Sequence, residues 1–239
     1  MPLWTRKLEA MTTTTPLSPT ARSTVSRGRQ RARTDRTDLY TVLDAGLVCH
    51  LGLVVGGSPV VLPTGYGRLD DTLYLHGSTG AGWLRALAEG APVCVTVTHL
   101  DGIVYARSVF HHSMNYRSAV VHAEARMVED PVERLAALRA VVEQLSPGSW
   151  DHARRPSARE LAATAVLAVD LAEASVKVRT GPPDDDAPDV AAGGRWAGVL
   201  PMRTVFDPPQ PCPTLTPAFD IPAHVGMRQG EVHEVRKVR

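Results

Sequence analysis

The chain has 239 residues, of which 44% are hydrophobic but only 5% aromatic, so any core is built mainly from Val, Leu and Ala. A net charge of +1 gives no general attraction to nucleic acid or to an acidic partner. Cys49, Cys94 and Cys212 are scattered and form no CxxC pair, which excludes a disulfide framework and a structural zinc site and points to a reducing, cytoplasmic compartment. There is no run of about 18 apolar residues for a membrane span, and no apolar secretory segment at the N-terminus.

Residues 1–35 are rich in Thr, Ser, Pro and Arg and lack apolar periodicity, so they predict a disordered leader. Arg22, Arg27, Arg29, Arg31, Arg33 and Arg36 crowd its end without interleaved aromatics, the pattern of a solvated arm rather than of a nucleic-acid or membrane contact. Met11, followed by four Thr, is an alternative start. Residues 38–46 read as a short helix with Leu39, Val42 and Leu43 inward, Asp35 or Thr37 as N-cap and Gly46 at its end. Strands follow over 47–55, 59–66 and 72–76, joined by turns at Gly56-Gly57 and Leu69-Asp70-Asp71, which imply an antiparallel meander. In the third strand, Leu73 and Leu75 share one face, while Thr72, Tyr74 and His76 share the other.

Residues 81–89 predict a helix stopped by Gly90. Strands over 92–97 and 103–106 are read as a hairpin turned at Asp101-Gly102. A long strand over 118–128 puts Val121, Ala123, Ala125 and Met127 inward and His122, Glu124 and Arg126 outward. Asp130-Pro131 opens an amphipathic helix with Leu135, Leu138, Val142 and Leu145 as its buried stripe. A shorter helix over 157–162 and a final long strand over 165–178 complete the pattern. Six or seven strands with hairpin connections predict a mainly β fold, an antiparallel barrel with peripheral helices over 36–200, followed by a Pro-rich irregular tail over 201–239.

Three sets of residues stand at predicted strand ends: Pro63-Thr64-Gly65-Tyr66, His76-Gly77-Ser78-Thr79 and Asn115-Tyr116-Arg117-Ser118. Together they offer hydroxyls, an imidazole, a guanidinium and turn N–H groups, a set suited to a phosphorylated planar cofactor. Ser78 and Thr79 precede a helix, where free N–H groups and the helix dipole attract phosphate; ordinary N-capping is the alternative use of the same residues. Arg117 can fork onto phosphate or form a salt bridge with Glu124 or Asp130. His111-His112 resembles a metal pair, but neighbours on a strand point to opposite sides, so no metal site is expected. Trp83 is expected in the core. Trp196 is a candidate cover for the face of such a planar cofactor.

The order and spacing of these motifs resemble the pyridoxamine 5′-phosphate oxidase-like flavoproteins, and within them the nitroimidazole-resistance branch, over roughly residues 27 to 200. The resemblance implies a split β-barrel, an FMN cofactor held at the interface of a homodimer, and oxidoreduction of a small-molecule substrate. It implies Pro63, Thr64, Gly65, Tyr66, His76, Gly77, Ser78, Thr79, Tyr116, Arg117, Ser118 and Trp196 as cofactor-binding residues, and it designates no catalytic residue. A non-catalytic binder of flavin, haem or deazaflavin is the alternative. One departure is clear: where relatives often carry Lys or Arg after the His-Gly pair, this chain has Thr79, Gly80, Ala81, Gly82 and Trp83.

Overall fold

The computed structural model describes residue 17 and residues 20–87, 90–215 and 219–230. A short strand β1 (Ala32–Arg33) precedes helix α1 (Arg36–Asp44), whose N-cap is Asp35. Strands β2 (Val48–Val55), β3 (Ser58–Leu69) and β4 (Thr72–Ser78) form the expected meander. Gly56 and Gly57 turn the first hairpin with φ of 56° and 80°, the left-handed pair that a two-residue hairpin loop requires. Helix α2 (Gly82–Leu87) leads to β5 (Pro92–Tyr105), β6 (Ser113–Glu124) and β7 (Arg126–Met127). Helices α3 (Pro131–Leu145), α4 (Ser149–His152) and α5 (Ala158–Ala163) then precede β8 (Thr164–Asp170) and β9 (Ala174–Arg179). Helix α6 (Ala187–Ala192), strand β10 (Gly198–Pro201) and helix α7 (Ala223–Gly226) follow.

All strand pairs are antiparallel, in the order β1-β9-β6-β5-β2-β3-β4-β8-β7, with β10 on β5. The long β3 makes this a split barrel. Its first part, through Gly65, pairs with β2, and its second, from Tyr66, pairs with β4. At the other side the chain itself crosses between the half-barrels, from β6 to β7 through Ala125. Leu51, Leu73, Leu75, Val95, Val97, Val121, Leu167, Val169 and Val176 fill the interior, with Leu39, Val42 and Leu43 of α1 packed among them. The C-terminal carbonyls of α1 are satisfied from elsewhere in the fold: Gln144 of α3 reaches the carbonyls of Leu43, Asp44 and Gly46, and the His99 ring donates to that of Val42.

Several sequence expectations give way to tertiary context. Asp101-Gly102 does not turn a hairpin. Strand β5 runs straight through it, and Asp101 is the extra residue of a bulge between the Leu100–Tyr116 and Gly102–Asn115 pairs. The predicted strand over 165–178 is two strands in different half-barrels, linked by Leu171-Ala172-Glu173. The strands number ten among the described residues rather than six or seven.

Helix α3 buries Ala137, Ala140 and Val141, while Leu135 and Leu145 are exposed and Leu138 and Val142 half-buried. The small side chains face inward because the helix lies almost on the backbone of β3: a Cβ at Gly67 would stand 2.4 Å from Ala140 C and Val141 N. Part of the expected leader lies outside the described residues. Its described end is laid on the sheet, with Ser23 buried, a 3-10 turn over Arg29–Arg31 and β1 paired with β9. The helix expected over 81–89 ends at Leu87 among the described residues, and the predicted start at Met11 lies outside them.

Candidate cofactor site

Strand register sorts the predicted site residues onto two surfaces. The β2–β3 and β2–β5 pairings place His50 level with Pro63 and Thr96, and the β5–β6 pairing places Thr98 opposite Ser118 and Leu100 opposite Tyr116. These residues, with Val48 and Gly65, line the outward face of the first half-barrel. The face is open and largely apolar: Val48, Val54 and Val61 are each half or more exposed. Hydroxyls of Thr96, Thr98 and Ser118 and the His50 ring punctuate it. A broad apolar surface with few polar groups fits a planar ring system sandwiched against a second surface.

The intervening residues point the other way. Thr64 pairs with the buried Cys49. Tyr66 is fully buried, and its hydroxyl donates to the Leu43 carbonyl. Burial pushes its phenol well above the ordinary tyrosine pKa. Tyr66 is therefore a core residue with a satisfied hydroxyl, and its side chain is not offered to the sheet face.

Arg117 also faces inward, on the side of Ala119 and Val121. It lies within β6 rather than at a strand start, and its fork closes on the bulge residue Asp101 at 2.9 and 2.7 Å. Its salt bridge is thus neither to Glu124 nor to Asp130. Its Nη1 is buried without a partner among the described residues. Tyr116 and Ser118, pointing outward, are separated from it by the strand.

The turn after β4 is occupied by its own hydrogen bonds. Thr79 N donates to the Ala163 carbonyl, Ala81 N to the Ser78 carbonyl, and Gly80 N to Ser78 Oγ at 3.3 Å. The N–H groups of Thr79, Gly80 and Ala81, three of those expected beside a phosphate, are therefore already engaged. Gly77 sits close under α2: a Cβ there would press on Leu84 Cδ1 and Trp83 Cζ2, both at 3.0 Å. Trp83 packs against the core, as its position predicts.

His76 behaves differently. It shares a face with Tyr74, as the alternation predicts, and pairs across to Val166 of β8. Tyr74 lies beneath α3, whereas His76 emerges exposed in a cleft of about 420 Å³ beyond it. The cleft is walled by Leu138, Val142 and Leu145 of α3, by Trp150, and by Leu161 of α5. The His76 ring has no hydrogen-bond partner among the described residues.

Local chemistry shapes these walls. Gly148 adopts φ 83°, which allows the chain to reverse between α3 and α4, and the Glu143 carboxylate accepts from the N–H groups of Gly148 and Trp150. Ser157 and Glu160 form a reciprocal capping box at the start of α5. Arg154 forks onto Glu160 at 2.7 and 3.1 Å, and Arg154 and Ser157 together hold that carboxyl down to about 2. Arg155 lies over the Trp150 ring at 4.9 Å. The cleft thus offers one free imidazole and dry apolar walls, features that suit haem, with two guanidinium groups at its edge that are paired, Arg154 with Glu160 and Arg155 with Asp151 at 2.7 Å. Trp150, Arg154 and Arg155 were not selected from the sequence. The usable signal was a rare tryptophan followed closely by paired arginines and a Ser-x-x-Glu cap.

The remaining candidates lie apart. Trp196 is 70% exposed and tilts against Tyr105, 5.8 Å between ring centroids, toward the far end of the outward face. His111 contacts Asp186 at 3.1 Å, and the His112 ring bonds the Ser108 carbonyl. Among the described residues no group of three His, Cys, Asp or Glu side chains is placed to hold a metal ion.

Together these features define a split-barrel protein with one open sheet face and one histidine-bearing apolar cleft. The family model for pyridoxamine 5′-phosphate oxidase matches residues 35–178, and the chain belongs to that family. It is similar to the flavocytochrome Anf3 from Azotobacter vinelandii, with 38% identity over 90% of this chain and 100% of that one and a TM-score of 0.84. It is also similar to a FAD and heme binding protein from Mycobacterium smegmatis, with 40% identity over 85% of this chain and 98% of that one and a TM-score of 0.80. A candidate 5-nitroimidazole antibiotic resistance protein from Bacteroides thetaiotaomicron shares the fold at 23% identity, covering 62% of this chain and 86% of that one, with a TM-score of 0.53. No curated protein matches the sequence.

Proposed function

We propose that this protein is a flavin- and haem-binding redox protein, in which the open sheet face receives a flavin at a homodimer interface and the cleft beside His76 receives haem. The observation that carries the reading is the unpartnered His76 ring in an apolar cleft, in a chain 38–40% identical to a flavocytochrome and to a FAD and heme binding protein. His76 would supply a nitrogen ligand, Leu138, Val142, Leu145 and Leu161 would exclude water, and Arg154 and Arg155 would exchange their Glu160 and Asp151 partners for carboxylates at the rim. On the sheet face, Pro63, Gly65, Thr96 and Ser118 would orient the flavin through backbone and hydroxyl contacts. A flavin takes up electrons in pairs and can release them singly, whereas haem iron carries one at a time. The family resemblance points to FMN and the Mycobacterium relative to FAD; the 40% identity over nearly the whole of that relative favours FAD.

The exposed Val48, Val54 and Val61 of the apolar outward face support homodimerisation as the way that face is covered. No helix among the described residues is long and apolar enough to cross a membrane.

The test is the visible spectrum of the purified protein after reconstitution with hemin and FAD. The expected result is a Soret band together with flavin absorption, and in His76→Ala a lost or shifted Soret band with the flavin retained. A Soret band of unchanged position and intensity in His76→Ala would overturn the haem assignment. Failure to take up FAD or FMN would overturn the flavin assignment.

A further inference from the structure

A second cleft, of about 290 Å³, opens where residues 22–27 cross the outer surface of β6 and β9. We infer that it is an anion site that recognises a phosphoryl group of a phosphate or diphosphate ester. Its walls present Arg27 and Lys177, the His122 ring and the hydroxyls of Ser26 and Ser175, while the Thr24 hydroxyl donates to the Thr20 carbonyl at 2.6 Å. No carboxylate lines it.

The charges are sorted so that positive charge faces the cleft. Arg22 forks onto Glu173, with Nε 2.8 Å from Oε1, and Thr20 donates to the same carboxylate. That pair is neutral overall and anchors the segment to the link between β8 and β9. Arg27 has no ion-pair partner among the described residues. Among the described residues Lys177 donates only to the Arg27 carbonyl, at 3.4 Å. Two cations are thus left facing one hollow, together with the His122 ring. Positive charge gathered at one hollow raises the local potential and attracts an anion.

The backbone is shaped to the same end. Gly28 adopts φ 68°, reversing the chain so that the Arg27 carbonyl comes within reach of Lys177. Strand β1 then pairs Ala32 with Lys177 itself and fixes the level of the segment. Hydroxyls beside paired cations suit a tetrahedral oxyanion, which takes several donors at once, better than a planar carboxylate. His122 and Ser175 stand on the same outward face as Ser118, so the cleft continues the open sheet surface. The phosphoryl group can belong to a flavin lying on that surface or to a separate phosphorylated nucleotide.

The experiment is calorimetric titration of the full-length protein with inorganic pyrophosphate at low ionic strength, with chloride at matched ionic strength as control. Saturable binding of one pyrophosphate per chain is expected, weakened about tenfold by Arg27→Gln and about tenfold again by adding Lys177→Gln. Arg195→Gln, which removes the same charge elsewhere, should leave binding unchanged. Thermal melts of the variants, expected to match wild type, separate loss of the site from loss of fold. No binding by the wild-type chain, or equal binding by Arg27→Gln/Lys177→Gln, overturns the inference.

Repeating the titration on protein loaded with FMN or with FAD identifies the source. Blockage by FAD but not by FMN assigns the site to the flavin's own diphosphate. Binding undiminished by either assigns it to a separate phosphorylated ligand. The pyrophosphate titration reads the cleft even if the protein takes up no flavin, so the two proposals fail independently.

Discussion

Gly67→Ala is the most direct test of how the helical layer sits on the barrel. The added Cβ would lie 2.4 Å from Ala140 C and Val141 N and 2.6 Å from the Ala140 carbonyl oxygen. Unstrained contacts between carbon atoms lie at about 3.5–4.0 Å, so α3 must retreat by about 1.2 Å. The obstruction is helix backbone, which cannot rotate aside as a side chain would. Overpacking of this kind costs about 1–3 kcal/mol, and the smaller conformational freedom of alanine in the unfolded chain returns about 0.5–1 kcal/mol. A net loss of about 1 kcal/mol corresponds to a fall in Tm of about 2–4 °C for a domain of this size. Leu138, Val142 and Leu145 ride on the same helix and wall the His76 cleft, so hemin affinity should fall as well. Thermal denaturation by circular dichroism reads the first effect and hemin titration the second. A variant that melts within about a degree of wild type would refute the close packing of α3 on β3.

Three further outcomes follow from the described contacts. Tyr66→Phe removes one of several donors to the Leu43 carbonyl and should cost about 1 kcal/mol in chemical denaturation, with flavin content unchanged; loss of flavin would return Tyr66 to the cofactor site. Arg22 and Thr20 hold the Glu173 carboxyl down to about 2, against an ordinary value of 4.5. A depressed folded-state pKa gives stability that is complete above 4.5 and is lost as pH falls towards 2, so the plot of Tm against pH should drop in that window. The drop should be shallower in Glu173→Gln, and parallel curves would refute this linkage. Among the thiols, Cys212 is exposed, and a hydrogen bond from Thr214 lowers its pKa, whereas burial pushes Cys49 up to about 12. Alkylation at pH 7.5 followed by peptide mass spectrometry should find Cys212 modified first and Cys49 only after denaturation; early labelling of Cys49 would refute its burial.

The local sequence determined those features whose cause is local. Gly56-Gly57 specifies a hairpin because its residues adopt left-handed φ freely, and Asp130-Pro131 specifies a helix start because aspartate accepts from a free N–H while proline needs none. Alternation in 72–76 correctly set Tyr74 and His76 on one face, since the strand period admits no other arrangement. Tertiary structure decided where distant partners compete for the same residues. Asp101-Gly102 carries the signature of a turn, yet the continuous pairing of β5 with β6 and the Arg117 fork on Asp101 hold it as a bulge. The leucines of α3 read as a buried stripe, but the close approach to Gly67 admits only small side chains, leaving Leu138, Val142 and Leu145 to wall a cleft. Consecutive site residues such as Tyr116, Arg117 and Ser118 are a group in sequence but not in space, because a strand sends neighbours to opposite faces. The two clefts join segments as distant as His76 with Trp150, and Arg27 with Lys177, which only the folded sheet brings together.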